Sequence, residues 1–391
     1  MVIRWFKSNP SLSAVIAEGF FARLGFGIIT FALPFYALSL GMSYTEVGIL
    51  TALRLVAAII FKPWMGRLAE YIGKKRLYTI SIFGRALVSL LFAFAMQPWM
   101  LFVLRFLHGV TTAARDPASA VLIAEHGDDK KMASSFSWYN AAKEAGASLG
   151  YLAAGFLLTL TSDDYTFVFL FSVVPSVIAL IAVMIWVKEP AVQPKQEVEK
   201  ALDDNKLMLF EFAILGLLMA TTASMLNNLF PILATEFAHL TKAEASIIFT
   251  ASTVLIVVLN PIFGWLADNF SRTFVLSIRS MLNALSSLCY AFFPGFAGFL
   301  IGRTLDDSGK AAFRPAWGAF LAELSGKKGS KGRTKKVAYL DTAQTVGEAM
   351  GPLIAGLIWD HLNIMWLFGV RIAISIFAEF YLLWLLRKQK Q

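Results

Sequence analysis

The chain is poor in charge and in the residues that bind metals. Only 16% of its 391 residues are charged, and Cys289 is its single cysteine. One cysteine excludes an intrachain disulfide and argues against a thiolate metal cluster. The histidines are scattered along the sequence, at His108, His126, His239 and His361. Neither a Walker-type glycine loop nor a nucleophile–base constellation is present, which argues against an ATP-driven pump, a membrane enzyme or a non-transporting receptor. We therefore predict neither catalysis nor a cofactor.

Apolar residues dominate instead. They make up 57% of the chain, and the mean hydropathy is +0.64. A soluble protein of this length could not hide so much apolar surface. The apolar stretch after Arg4 and Lys7 is a full span, so we expect no cleaved signal peptide. Runs long enough to cross a bilayer recur throughout. We predict an all-α membrane protein with twelve transmembrane helices, at 11–40, 44–65, 77–96, 99–124, 133–160, 166–187, 207–235, 243–263, 274–293, 297–322, 337–360 and 363–386.

The chain repeats itself at an interval of 198 residues. Gly66-Arg-Leu-Ala-Glu70 returns as Gly264-Trp-Leu-Ala-Asp268, and Arg105 returns as Arg303. Two repeated apolar halves are typical of secondary transporters. We predict two six-helix bundles, at 1–187 and 207–391, joined by a polar linker at 188–206.

Basic residues collect in alternate loops. Both termini share one side with the loops that contain Lys74–Arg76, Lys130–Lys131 and Arg272 and with the cluster 327–336, whereas the opposite loops contain only Lys242. Because positive loops stay in the cytoplasm, we expect both termini there, in a bacterial or archaeal cytoplasmic membrane. The net charge of +9 follows from this topology. It favours contact with anionic membrane lipid and not with nucleic acid.

The loop after the second span resembles a signature of the major facilitator superfamily. It reads Gly66-Arg-Leu-Ala-Glu70-Tyr-Ile-Gly73-Lys-Lys, with glutamate in place of the family's aspartate. Arg105-Phe-Leu-His-Gly and Gly347-Glu-Ala-Met-Gly351-Pro352 resemble the family's span-4 and antiporter motifs. In span 5 the antiporter motif has Tyr151 in place of proline. The first three spans most resemble the drug:proton antiporter branch.

The resemblance implies a gating role for the motif residues as two bundles alternate about a central site. Our gating candidates are Gly66, Glu70, Gly73, Gly264, Asp268, Gly351 and Pro352. Pro352 removes a helix hydrogen bond and should kink its span. Static helix packing and a solvated helix end are the alternatives for these residues.

Charged residues within the spans are the candidate transport site. A charge at the bilayer centre is costly, so it usually faces a cavity or a partner. Polar stripes on spans 4, 5 and 10 agree with the helices that surround the cavity in this superfamily. The substrate-binding candidates are Arg23, Arg54, Arg105, Arg115, Asp116, Asn140, Asn227, Asn228, Arg303, Asp306, Asp307 and Lys310.

Some of these charges can instead neutralise each other. The pairs Arg303–Asp307 and Asp306–Lys310 are one helical turn apart. Adjacent residues point apart on a helix, so the sequence gives no reason to expect a pair between Arg115 and Asp116. Outside the predicted cavity, similar depth in spans 9 and 12 predicts a structural salt bridge between Arg279 and Glu379.

Carboxylates near mid-membrane are candidates for proton coupling. Glu144 and Glu348 each lie about eleven residues into their spans, and Glu18, Asp306 and Asp307 are the rival candidates. Desolvation favours the protonated form of a lone carboxyl group, which a proton carrier requires.

The substrate class is left open by these patterns. Resemblance favours proton-coupled export of small amphipathic compounds. Within the spans, however, cations slightly outnumber carboxylates, which favours an importer or uniporter of an anionic or zwitterionic metabolite. In either case we expect a monomer that binds a small molecule, and for the exporter we expect protons as the coupling ion.

Overall fold

The structure is a computed structural model that describes residues 9–126, 132–189, 206–269, 272–324 and 333–389. Within these ranges it contains twelve long helices and no strand, which confirms the predicted all-α architecture. Their bounds are α1 Pro10–Ser39, α2 Tyr44–Ile72, α3 Lys74–Phe92, α4 Pro98–His126, α5 Met132–Leu160, α6 Tyr165–Trp186, α7 Lys206–Met225, α8 Lys242–Asn269, α9 Arg272–Phe292, α10 Phe296–Leu324, α11 Arg333–His361 and α12 Ile364–Gln389.

The repeat in the sequence returns in the helix starts. Helices α2, α3 and α4 each begin 198 residues before α8, α9 and α10, respectively. Six helical stretches, in α1, α2, α6, α7, α9 and α12, are long and apolar enough to cross a membrane by length and composition alone. The stripe of charges on α4 and its counterpart on α10 interrupt the apolar character of those two helices.

The seventh span is broken, whereas the sequence predicted one continuous helix at 207–235. Helix α7 ends at Met225, a turn follows, and the span resumes as Phe230–Ile232 and a π-helical turn at Leu233–Phe237. Asparagine side chains compete with helical hydrogen bonds, and Pro231 has no N–H to donate. The pair Asn227-Asn228 at the break therefore explains why the helix stops there.

The described chain divides into two compact units. Unit 1 comprises the described residues of Met1–Met42, Leu53–Gln193 and Thr241–Thr250, and unit 2 those of Ser43–Ala52, Pro194–Leu240 and Ala251–Gln391. The start of α2 thus belongs to unit 2 and the start of α8 to unit 1. The predicted linker 188–206 lies almost entirely outside the described residues.

In unit 1, α1 packs against α5 and α6, and α3 packs against α4 and α6. Glycine permits the close approach of α1 and α5. A Cβ at Gly146 would lie 2.1 Å from the Phe20 carbonyl oxygen, and one at Gly150 would lie 2.3 Å from that of Leu24. Real carbon–oxygen contacts are much longer, so larger residues would push the helices apart.

Unit 2 repeats this packing with α7 and α11. A Cβ at Gly347 would lie 2.3 Å from the Leu217 carbonyl oxygen. Helix α9 packs against α10 and α12 beside this pair. A buried apolar cluster around Phe212, Val275 and Trp317 fills the space between α7, α9 and α10. In both units, therefore, the helices that carry the polar side chains are closely packed.

Charged side chains bind the first residues of α2 and α8. The backbone N–H groups of Tyr44 and Thr45 at the start of α2 donate to Asp360 Oδ1 and Oδ2 at 3.0 and 2.6 Å. Carboxylates stabilise helix N-termini because four N–H groups there lack partners within the helix. At the corresponding start of α8, Lys242 Nζ lies 2.6 Å from Asp163 Oδ1.

Candidate functional site: an arginine cluster and a paired acidic cluster

The signature loop connects α2 and α3 through Gly73. This residue has φ +98°, a conformation that glycine adopts without strain. The backbone N–H groups of Lys74 and Lys75 donate to the Glu189 carboxylate at 2.7 and 3.1 Å. A Cβ at Gly73 would lie 3.1 Å from Glu189 Oε1. The motif glycine thus allows the turn and leaves room for Glu189, a cap that the sequence analysis missed.

The other gating candidates differ in their surroundings. A Cβ at Gly66 would meet nothing within 4 Å, and Glu70 is exposed. A Cβ at Gly351, by contrast, would lie 2.0 Å from Ser224 Oγ. Pro352 is buried within α11, and its carbonyl oxygen would lie 2.4 Å from a Cβ at Gly48. The side-chain surroundings of Gly264 and Asp268 lie outside what the structure describes.

Three arginines surround one phenylalanine ring in unit 1. The guanidinium carbons of Arg23, Arg54 and Arg85 lie 5.2, 5.3 and 5.4 Å from the centroid of Phe26. The His108 ring meets Phe26 edge-on at 4.8 Å. Each cation–π contact is worth about 0.5–2 kcal/mol. A phenylalanine ring carries no net charge, however, so these contacts do not neutralise the positive charges of the three arginines.

Arg85 and Arg105 are only 4% and 3% exposed, and each has hydrogen-bonding nitrogens that are not satisfied by the described chain. Nε and Nη1 of both side chains are buried without a hydrogen-bond partner there, as is Nε of Arg23. Arg85 Nη2 donates to Thr112 Oγ1 at 3.3 Å. A buried charge without partners is expensive, so this cluster has unused capacity for a hydrogen-bond acceptor that bears negative charge. We call Arg23, Arg54, Arg85, Arg105 and His108 the arginine cluster.

The nearby carboxylates are engaged by a different arginine. Arg115 Nε and Nη2 donate to the two oxygens of Glu18 at 2.7 and 2.9 Å, and the Tyr78 hydroxyl donates to the same carboxylate. Arg115 Nη1 also lies 3.1 Å from Asp116 Oδ1, so this adjacent pair does form, although the sequence gave no reason to expect it. The Cβ atoms of adjacent residues point apart, but the Arg115 side chain is long enough for its guanidinium group to reach the Asp116 carboxylate. Glu18 therefore has the contacts of a structural partner.

The polar stripe of α5 has a more accessible face. Asn140 is exposed, and Lys143 and Glu144 are half-buried. The Lys143 ammonium lies 5.1 Å from the centroid of Tyr139. In α11, Glu348 is also half-buried and accepts from Gln344 Nε2 at 3.5 Å. Glu144 and Glu348 thus remain more open to solvent than Glu18, which is fully buried.

Unit 2 contains a buried network of opposite charges. Asp307 lies 3.2 Å from Arg303 Nε and 2.7 Å from Lys310 Nζ, and Asp306 lies 3.2 Å from Lys310 Nζ. Both predicted helical pairs, Arg303–Asp307 and Asp306–Lys310, are therefore present. Breaking such a buried pair typically costs about 3–5 kcal/mol, because one charge is then left without its partner.

Arg371 of α12 completes this network and was missed by the sequence analysis. It is fully buried, and its Nη2 lies 2.5 Å from Asp306 Oδ1. Its Nε donates to the Thr222 carbonyl oxygen at 2.9 Å, and Nη1 donates to Ser286 and Ser287. Arg371 lies on a span outside the predicted cavity, which is why the sequence analysis did not single it out. A single arginine in an apolar span was nevertheless a visible signal.

The break in α7 brings Asn227 into the same network. Asn227 Oδ1 accepts from Arg303 Nη2 at 2.8 Å and from Lys310 Nζ at 3.3 Å. Arg303 also lies over the ring of Phe230, the first residue after the turn. Asn228 is half-buried. The carboxylates Asp306 and Asp307 of unit 2 thus lie between cations, whereas in unit 1 Nε and Nη1 of Arg85 and Arg105 have no hydrogen-bond partner within the described chain.

The predicted salt bridge between Arg279 and Glu379 is wrong. No ion pair joins these two described side chains. Arg279 Nη2 donates instead to the Met219 carbonyl oxygen at 3.3 Å, and its guanidinium lies 5.4 Å from the Phe313 ring. Similar depth on neighbouring helices was not sufficient, because α9 directs Arg279 toward α7 and α10.

Known proteins share this sequence pattern and this fold. The family model of the Major Facilitator Superfamily matches residues 18–210 and 212–391. Multidrug resistance protein 1 of Bacillus subtilis (strain 168) is 24% identical over 363 residues, which cover 90% of this chain and 91% of that protein. Quinolone resistance protein NorA of Staphylococcus aureus (strain MSSA476) is 22% identical over 359 residues, which cover 90% of each chain.

Solved structures are similar over nearly the whole chain. The nucleoside transporter NupG has a TM-score of 0.77 at 13% identity, and the match covers 96% of this chain and 98% of that one. A bacterial homologue of the human lysosomal transporter Spinster has a TM-score of 0.75 at 12% identity, with 96% of each chain covered. At these identities the likeness shows the fold alone. With the family model matched across both halves, the chain belongs to the Major Facilitator Superfamily and is an integral membrane transport protein, not an enzyme.

Proposed function

We propose that this transporter exports amphipathic compounds in exchange for protons, and that the compound it carries has an anionic group. Export is supported by the names of the relatives, which are multidrug and quinolone resistance proteins. Bacterial relatives also support a place in a cytoplasmic membrane, and the basic loops support cytoplasmic termini. The proposed working unit is a monomer.

The single observation that carries the substrate class is the arginine cluster. Two carboxylates in the spans of unit 1, Glu18 and Asp116, are engaged by Arg115. Arg85 and Arg105 are buried with nitrogen atoms that the described chain does not satisfy. A carboxylate, sulfonate or phosphate group would accept hydrogen bonds from these guanidiniums and neutralise their charge. The apolar part of the same molecule would suit Phe26 and the other aromatic residues of the spans.

For proton coupling we propose Glu144 first and Glu348 second. Both are half-buried carboxyl groups, so they are accessible to solvent for proton exchange. Glu18 is a weaker candidate because its buried carboxylate is already bound by Arg115 and Tyr78. Substrate release and proton uptake would then alternate as the transporter changes conformation.

The import or uniport of an anionic metabolite is the second candidate, and the same arginine cluster favours it equally on binding grounds. Direction separates the two functions. In proteoliposomes of known orientation, accumulation of an aromatic carboxylate against its gradient, driven only by an opposed proton gradient, would support proton-coupled exchange. Equilibration that ignores the proton gradient would support uniport.

Ligand-induced thermal stabilisation tests the substrate class directly. The panel contains an aromatic carboxylate, an aromatic sulfonate, a lipophilic cation and a neutral analogue of similar size. A ligand that binds only the folded protein raises the unfolding midpoint by mass action. We expect the anions to stabilise the wild type, and Arg105→Gln or Arg23→Gln to remove the effect.

Arg387→Gln is the matched control, because Arg387 is exposed near the end of α12 and lies outside the cluster. It should leave stabilisation by anions unchanged. Stabilisation by the cation alone, or anion stabilisation that survives both cluster substitutions, would contradict the proposed substrate class.

A further inference from the structure

A groove on unit 2 contains a carboxylate that none of the preceding functions uses. The groove has a volume of about 440 Å³ and lies between α9 and α12. It includes Glu379, the residue whose predicted partner Arg279 points elsewhere. Oε2 of Glu379 is buried and has no hydrogen-bond partner in the described chain.

The groove is lined almost entirely by apolar surface. Its rim is formed by exposed side chains, Phe274, Met281, Ile376 and Phe380. Ser280 and Ser375 also line the groove, and both are buried. Exposed aromatic and aliphatic side chains on the spans of a membrane protein contact acyl chains. The groove is therefore accessible from the bilayer, and Glu379 places a carboxyl group beside that opening.

A carboxylate in such a place gains stability by pairing with a cation. An isolated charge in an apolar site is costly, and the local cation Arg279 is engaged by Met219 and Phe313. The rim would cover an alkyl chain or an aromatic ring, while the carboxylate would accept hydrogen bonds from an ammonium group. Charge and apolar surface together therefore specify a cationic amphiphile.

Depth distinguishes two possible sources of that ammonium group. Glu379 lies eight residues before Arg387, or roughly 12 Å along the helix axis. Arg387 and Lys388 occupy the last turn of α12, where basic residues meet lipid headgroups. The ammonium group of an aminophospholipid is tied to its phosphate and stays near that level. A simple lipophilic amine has no phosphate and can lower its ammonium group to Glu379.

We propose that the groove between α9 and α12 binds a lipophilic amine from the bilayer, with Glu379 as the acceptor of its ammonium group. This site is separate from the arginine cluster and binds a ligand of opposite charge. Its existence does not depend on the proposed transport function. It would hold cationic amphiphiles at the periphery of unit 2, whichever substrate the transporter moves.

Photolabelling of the full chain in phosphatidylcholine nanodiscs tests this site. The probe is dodecylamine with a diazirine in its chain, and the matched neutral probe is its N-acetyl derivative. Mass spectrometry of the labelled peptides locates the attachment. We expect the amine to label 274–284 and 375–380 at least five times more strongly than the neutral probe does.

Three variants separate the role of the charge from an effect on folding. Glu379→Gln should reduce labelling by the amine at least fivefold, and Glu379→Asp should retain most of it. Glu211→Gln should have no effect, because Glu211 pairs with Lys388 away from the groove. Size-exclusion profiles and thermal unfolding midpoints verify that each variant is folded.

Any of four results would overturn the proposal. Equal labelling by the amine and the neutral probe, or labelling that Glu379→Gln leaves intact, would show an ordinary lipid-filled crevice. Complete competition by added phosphatidylethanolamine would show that an aminophospholipid occupies the groove and not a simple amine. If Glu379→Asp and Glu379→Gln lost labelling equally, the carboxylate would not be the acceptor.

Discussion

Arg115 has two carboxylate partners that differ sharply in burial, and this difference predicts unequal costs of removing them. The side chain of Glu18 is 0% exposed, whereas that of Asp116 is 51% exposed. Removing one partner of a buried ion pair typically costs about 3–5 kcal/mol, and an exposed pair is worth about 0.2–1 kcal/mol. We expect Glu18→Gln to fall near the lower end of the buried range, because Asp116 still neutralises part of the Arg115 charge. Asp116→Asn should cost about 1 kcal/mol or less.

Chemical unfolding of the detergent-solubilised variants, followed by intrinsic fluorescence, measures both costs. A triple variant with apolar side chains in place of Glu18, Arg115 and Tyr78 supplies the control. In Glu18→Leu/Arg115→Met/Tyr78→Phe no buried charge is left without a partner, so much of the lost stability should return. The prediction of unequal costs fails if Asp116→Asn destabilises the protein as much as Glu18→Gln does. It also fails if Glu18→Gln is neutral in stability but abolishes proton-driven transport, since Glu18 would then be a proton carrier.

Further predictions concern packing, the acidic network and proton coupling. Gly351→Ala should destabilise by about 1–3 kcal/mol because its Cβ would collide with Ser224, whereas Gly66→Ala should be neutral or stabilising in thermal unfolding. If Gly66→Ala nevertheless slows transport, its role is in gating; equal destabilisation by both substitutions would contradict the packing argument. Arg371→Lys should lower the unfolding midpoint clearly, because an ammonium group cannot donate to Asp306, Thr222 and two serines together; a variant as stable as wild type would refute this. Glu144→Gln should abolish proton-driven transport in proteoliposomes while substrate exchange without a gradient continues, and loss of both activities would indicate a role in binding instead.

The number and kind of helices could be predicted because apolar runs and the 198-residue repeat can be read from the sequence without knowing which residues meet in space. The break in α7 was not predicted, because the apolar run around it indicated one continuous span. Asn227, Asn228 and Pro231 all disfavour a continuous helix, and they were the available signal. Partner choice was less predictable. The helical pairs of Arg303 and Lys310 follow from spacing, whereas Glu18–Arg115 and Asp306–Arg371 join residues 97 and 65 positions apart.

Side-chain direction was the information that the sequence did not contain. Arg279 and Glu379 lie on neighbouring helices, yet Arg279 turns to the Met219 carbonyl oxygen. The convergence of Arg23, Arg54 and Arg85 on Phe26 likewise depends on how α1, α2 and α3 are rotated. Counting charges along the spans indicated a cationic excess but could not show that it is concentrated in one unit.

The central claim is that the arginine cluster binds the anionic group of the transported compound. Its most direct test is equilibrium binding of a radiolabelled aromatic carboxylate to the purified protein, compared between wild type, Arg105→Gln and Arg387→Gln. The account predicts saturable binding that Arg105→Gln weakens at least tenfold and Arg387→Gln leaves unchanged. Binding that is equally strong in all three proteins, while a lipophilic cation competes for the same site, would contradict it.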